Sequence, residues 1–117
     1  MRKIILASLI AVITAAPAFA ADGIEGMWQR PANKGGALER ISACGGAFCV
    51  TVASGEHSGK SAGKFTMTAP GKYKGTLTDI SANKTYNGKA TLTGNSLKMS
   101  GCVMGGLICS SEIWSRQ

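Results

Sequence analysis

After residue 24 the apolar side chains of several segments recur at every second position, the period of an extended strand with one buried face. Phe65 and Met67 alternate with Lys64, Thr66 and Thr68. Tyr73, Gly75 and Leu77 alternate with Lys74, Thr76 and Thr78, and Tyr86, Gly88, Ala90 and Leu92 with Asn87, Lys89, Thr91 and Thr93. Leu97 and Met99 stand opposite Lys98 and Ser100. Glycine-rich breaks divide the pattern into eight strands, over Ile24–Gln29, Ala37–Cys44, Phe48–Ser54, Ala62–Ala69, Tyr73–Ile80, Lys84–Thr93, Ser96–Val103 and Leu107–Arg116. Short strands separated by regular turn signals predict an all-β sandwich or barrel. One apolar face per strand favours an antiparallel sheet rolled into a small barrel, which buries that face and removes the edges.

The connections read as short. Thr93-Gly94-Asn95-Ser96 and the Gly105-Gly106 segment are hairpin signals. The longest flexible stretch runs from Ser54 to Gly63. Nothing in the sequence marks a second domain or sets the oligomeric state.

Before the alternation begins, the chain has a different character. Arg2 and Lys3 precede an apolar run over Ile4–Ile13, and Ala18-Phe19-Ala20 follows. Charge, apolar run and small residues in that order predict a secretory signal peptide over residues 1–20, cleaved after Ala20. Pro17 interrupts the run short of the ~20 residues a spanning helix needs, so an integral membrane protein is not expected. Residues 21–117 then form one domain, periplasmic or secreted, with eleven basic against six acidic side chains and a net charge of +5.

Export changes the reading of the four cysteines. In an oxidising compartment an even number implies disulfides, and four cysteines allow three connectivities. The spacing favours Cys44–Cys49 and Cys102–Cys109, each across one hairpin tip. The rival reading is a zinc site. It lacks two-residue knuckles and accompanying histidines, so no metal site is assigned.

With these residues in place, the chain resembles the bacterial family called domain of unknown function 2147. The resemblance rests on Gly26-Met27-Trp28, the Cys44 to Cys49 hairpin, Asn83-Lys84-Thr85-Tyr86, Leu97-Lys98-Met99-Ser100-Gly101-Cys102-Val103 and Ile113-Trp114-Ser115-Arg116. It implies an exported, lipocalin-like antiparallel barrel and no particular chemistry. The segment around Ala69 to Lys74 is short and lacks a tryptophan often present there in the family, which implies a smaller mouth or a less aromatic lining. Closure of such a barrel makes the first and last strands neighbours. That places Trp28 against Arg116 as a structural latch, with a cation–π contact worth ~0.5–2 kcal/mol.

No catalytic constellation emerges. His57 sits beside Glu56 in the glycine-serine loop without the partners that a metal or a nucleophile requires. The acids Asp22, Glu25, Glu39, Glu56, Asp79 and Glu112 are scattered, mostly at strand ends or on polar faces. Glu112 and Asp79 could face inward after a bulge, but nothing in the pattern demands it. There is no G-x-S-x-G elbow, phosphate loop or dinucleotide fingerprint, so neither an enzyme nor a cofactor is expected.

The leading expectation is a binding protein that holds a small apolar ligand among Phe65, Met67, Leu77, Tyr86, Leu92, Leu97 and Met99. The alternative is a filled barrel whose lysines, Lys60, Lys64, Lys72, Lys74, Lys84, Lys89 and Lys98, meet an anionic envelope surface or another protein. Nucleic acid is not an expected partner, because Tyr73 and Tyr86 fall on the apolar faces rather than among the lysines. A role in plugging a lysozyme cleft is disfavoured by long-range repulsion between two basic proteins.

Overall fold

Each strand pairs antiparallel with the next, and the first pairs with the last, so the sheet closes into an eight-stranded up-and-down barrel. The computed structural model describes residues 23–117; the expected signal peptide lies outside the described residues. The strands are β1 (Gly26–Gln29), β2 (Leu38–Cys44), β3 (Ala47–Val52), β4 (Ser61–Ala69), β5 (Lys72–Asp79), β6 (Lys84–Thr93), β7 (Ser96–Val103) and β8 (Ile108–Arg116). This all-β barrel fits the lipocalin-like description. Two short 3-10 turns, Ala32–Lys34 and Met104–Gly106, occupy segments that the alternation left as connections.

The inner face is built from the alternating apolar positions. Trp28, Ile41, Val50, Phe65, Leu97 and Trp114 are almost wholly buried. Their cross-strand pairing is consistent, with Leu97 opposite Trp114 and Phe48 opposite Phe65. Phe48 and Tyr73 meet edge to face, with ring centroids 5.8 Å apart. The inward glycines make room for this packing. A Cβ on Gly88 would lie 2.8 Å from Cζ of Phe65, so the Phe65 ring rests where any other residue would clash.

The two ends of the barrel differ. At the end where β1 begins and β8 finishes, Ile24 is fully buried and its carbonyl accepts a hydrogen bond from Trp28 Nε1 at 2.9 Å. Arg116 closes the same end. Its guanidinium lies 4.3 Å from the Trp28 ring centroid and donates to the carbonyls of Gly23 and Glu25 and to Asn95 Oδ1. The β1–β8 seam beneath it is short, pairing only Trp28 with Arg116 and Gln29 with Ser115. Side-chain packing and hydrogen bonds at Arg116 therefore supplement a ladder of two residue pairs.

Both cysteine pairs are bonded, Cys44 to Cys49 and Cys102 to Cys109. The first crosses the β2–β3 hairpin at the closed end. The second crosses the β7–β8 hairpin at the opposite end. Two disulfides are what an oxidising, non-cytoplasmic compartment allows. Among the described residues no helix is long and apolar enough to cross a membrane.

Candidate functional site

Three charged side chains stand two residues from large core residues and therefore share their inward face. Arg30 follows Trp28, Glu39 precedes Ile41, and Glu112 precedes Trp114. The register carries them to the same end of the barrel, because Trp28 pairs with Glu39 across β1 and β2 and Met99 pairs with Glu112 across β7 and β8. This end is open. A cavity of about 350 Å³ enters the barrel here. A second of about 210 Å³ adjoins it, sharing Arg30, Lys34, Glu39, Ala62, Thr78 and Asp79 as walls.

The larger cavity has an apolar side and a polar side. Leu77, Tyr86, Met99 and Trp114 line the first, with Val103 and Ile108 at the rim. Arg30, Glu39, Ser110, Ser111 and Glu112 line the second. Ala62 enters the wall through a bulge. Val50 pairs with Gly63 while Thr51 pairs with Ser61, which leaves Ala62 unpaired and buried.

Glu112 is well satisfied. Arg30 donates from Nε to Oε1 at 3.0 Å and from Nη2 to Oε2 at 3.2 Å, and Trp114 Nε1 donates to Oε1 at 3.1 Å. A bidentate guanidinium with an added indole donor holds the orientation of the carboxyl group.

Glu39 is the opposite case. It is 2% exposed, and its Oε1 has no hydrogen-bond partner. Burial pushes its pKa up to about 7, against the opposing attraction of Arg30 and with a smaller contribution from the Glu112 charge. A carboxyl group held this way changes its charge near neutral pH.

The residues expected to hold a ligand are divided by this geometry. Leu77, Tyr86 and Met99 line the cavity. Phe65 and Leu97 are buried in the packed core below it, and Leu92 packs against that core. Met67 is 47% exposed. It pairs with Tyr73 beside the β4–β5 turn, and a register irregularity separates it from the last pair, Ala69 with Lys72. Alternation sets the face of Met67, but at the barrel rim that face is wet.

Glu112 and Asp79 both line the cavity, and Glu112 does so by regular alternation without a bulge. Sequence reasoning passed over Arg30 and Glu39. The signal available was their two-residue spacing from Trp28 and Ile41. His57 lines the smaller cavity and lies 3.5 Å from Glu56. Among the described residues no three acidic, histidine or cysteine side chains are grouped to hold a metal ion.

The β7–β8 hairpin tip is the other unusual feature of this end. Met104, Leu107 and Ile108 are 69%, 84% and 59% exposed. Met104 adopts a positive φ of 55°, rare for a side chain of this size.

No curated protein and no solved structure matches the chain. A family model does, over residues 60–116, which take in β4 to β8 with the Asn83–Tyr86 segment, the second disulfide and the tail. The match leaves out Gly26-Met27-Trp28 and the first cysteine pair. The matching model is that of the DUF2147 family, described as an uncharacterized protein conserved in bacteria.

Proposed function

We propose that the protein is a non-enzymatic, periplasmic or secreted binding protein that takes one small, largely apolar molecule with a polar end into the open end of its barrel. The observation that carries this reading is the cavity of about 350 Å³ whose apolar walls face a set of convergent polar groups. That volume falls at the lower end of the ~300–1,000 Å³ typical of small-molecule sites, and the division into apolar body and few polar anchors is the usual one. A small eight-stranded barrel can hold one such ligand. Export from the cytoplasm follows from the signal-like N-terminus, and the two disulfides agree with it.

Native mass spectrometry of the protein purified from the periplasm tests the reading. A discrete adduct that disappears on denaturation is expected, and a bare native mass would count against a resident ligand. The denatured mass reports cleavage after Ala20 and the four hydrogens lost in forming two bridges.

A second use of the surface is supported by the exposed Met104, Leu107 and Ile108 beside the cavity mouth. On a basic chain, an apolar tip suits contact with an anionic envelope surface. Binding to vesicles of anionic lipid is then expected to weaken with salt, and with substitution of Leu107 by serine. Binding indifferent to both changes would exclude this use.

A further inference from the structure

We infer that the ligand is an organic ammonium ion, its apolar body against Leu77, Tyr86 and Met99 and its nitrogen donating to Oε1 of Glu39. This rests on the cavity being a binding site and adds the chemistry of what it binds. Two independent observations meet here. The first is the distribution of acids. A chain with thirteen basic and only six acidic side chains places Glu39, Asp79 and Glu112 in one cavity wall and Glu56 in the wall of its neighbour. The second is that Glu39, a residue of the cavity wall, is almost wholly buried and its Oε1 has no hydrogen-bond partner.

An unpaired buried carboxylate is costly, and an incoming charged donor removes that cost. Asp79 accepts from the Ala82 N–H, and Oε1 of Glu39 is the buried acceptor at this end that has no partner. Arg30 is committed to Glu112, and Glu112 also accepts from Trp114. Lys34 from the first 3-10 turn, Asp79 from β5, Tyr86 from β6, and Glu56 and His57 from the β3–β4 connection complete the ionisable lining. With Glu39 ionised, the larger cavity carries three carboxylates against the two cations Arg30 and Lys34. One ammonium group balances the set. A ligand carboxylate would add charge of the wrong sign beside Glu39, and a ligand hydroxyl would make a neutral, weaker hydrogen bond.

Binding the ammonium requires Glu39 to give up its proton to solvent. Its carboxyl titrates near pH 7. Affinity for an amine therefore rises with pH through that region, and stays high until the amine itself deprotonates, near pH ~10 for an alkylammonium.

The test uses the signal-free chain and three probes with one apolar body: 4-phenylbutylamine, 4-phenylbutanol and 4-phenylbutyrate. Calorimetry reads binding between pH 6 and pH 8.5, with tryptophan fluorescence as a second reporter because Trp114 lines the cavity. At pH 8 the amine is expected to bind about tenfold tighter than the alcohol, the difference between a charged and a neutral hydrogen bond. The carboxylate is expected to bind weakest. Only the amine's affinity should rise with pH, and Glu39→Gln should abolish both that rise and the preference for amine. Circular dichroism and a thermal melt establish that the variant is folded. Equal binding of amine and alcohol, or a preference that survives in folded Glu39→Gln, would overturn the ammonium assignment while leaving the binding cavity intact. Failure of all three probes to bind would overturn both.

Discussion

Arg116 lies over the indole of Trp28, 4.3 Å from its ring centroid, and the two residues are register partners across the seam that closes the barrel. The contact joins the ends of the chain's sheet at its weakest ladder. The same guanidinium also donates to two carbonyls of the segment before β1 and to Asn95 in the β6–β7 hairpin. One side chain thus ties together three elements that the chain order keeps apart.

Arg116→Ala should lower the melting temperature by roughly 4–10 °C, from a loss of about 1–2 kcal/mol in a domain of this size. Arg116→Lys should recover part of the loss, because a lysine keeps the charge over Trp28 but not the forked donors. A thermal melt decides it: equal melting temperatures for wild type and the alanine variant would show that the seam holds without the guanidinium.

The raised pKa of Glu39 makes stability fall with rising pH. A carboxyl group at about 7 in the folded chain and 4.5 otherwise binds its proton more tightly when folded. The contribution is fully present below pH ~4.5 and is lost as pH rises through about 7. The difference amounts to roughly 3 kcal/mol at pH 8 and above. Denaturant melts from pH 5 to pH 8.5 should show this decline in the wild type and a flatter profile in Glu39→Gln. Parallel profiles would mean that Glu39 ionises in the folded chain at an ordinary pH.

Gly88→Ala should destabilise the barrel by about 1–3 kcal/mol, because the added carbon would lie 2.8 Å from the Phe65 ring in a packed interior. Gly94→Ala, at a hairpin position with open space but a φ of 59°, should act through backbone strain alone and cost about 1 kcal/mol. Comparison with Gly88→Ala in a Phe65→Leu background separates the two causes. Smaller packing at residue 65 should relieve the cost at 88 and leave the cost at 94 unchanged.

Glu112→Ala should cost more than Arg30→Ala. The acid is the more buried partner, with its side chain 13% exposed against 33% for the arginine, and its loss strands both the guanidinium and the Trp114 N–H. An effect of about 1–3 kcal/mol is expected for the acid. A double-mutant cycle on chemical denaturation measures the pair itself, and an interaction energy near zero would leave the bridge without a role in stability.

Opening the Cys102–Cys109 bridge with serines should cost roughly 2 kcal/mol by loop entropy and loosen the exposed tip between its strands. Limited proteolysis near Leu107 should then accelerate. An unchanged cleavage rate would mean that the β7–β8 ladder alone holds the tip.

The eight strands, their alternating faces and the paired cysteines were legible in the sequence because each is a local property. A period of two identifies a strand within a few residues, and a short spacing places two cysteines across one hairpin. β6 and β7 coincide with the alternation over Lys84–Thr93 and Ser96–Val103. The tertiary structure decided what that inner face contains. Phe65 and Leu97 fill the barrel, Leu77, Tyr86 and Met99 line a cavity, and Met67 is wet, although all six share one pattern of alternation. Depth along the barrel makes the difference, and depth depends on closure and register across all eight strands. The same holds for Arg30, Glu39 and Glu112. They stand 9 and 73 residues apart along the chain, and only closure brings them to one mouth.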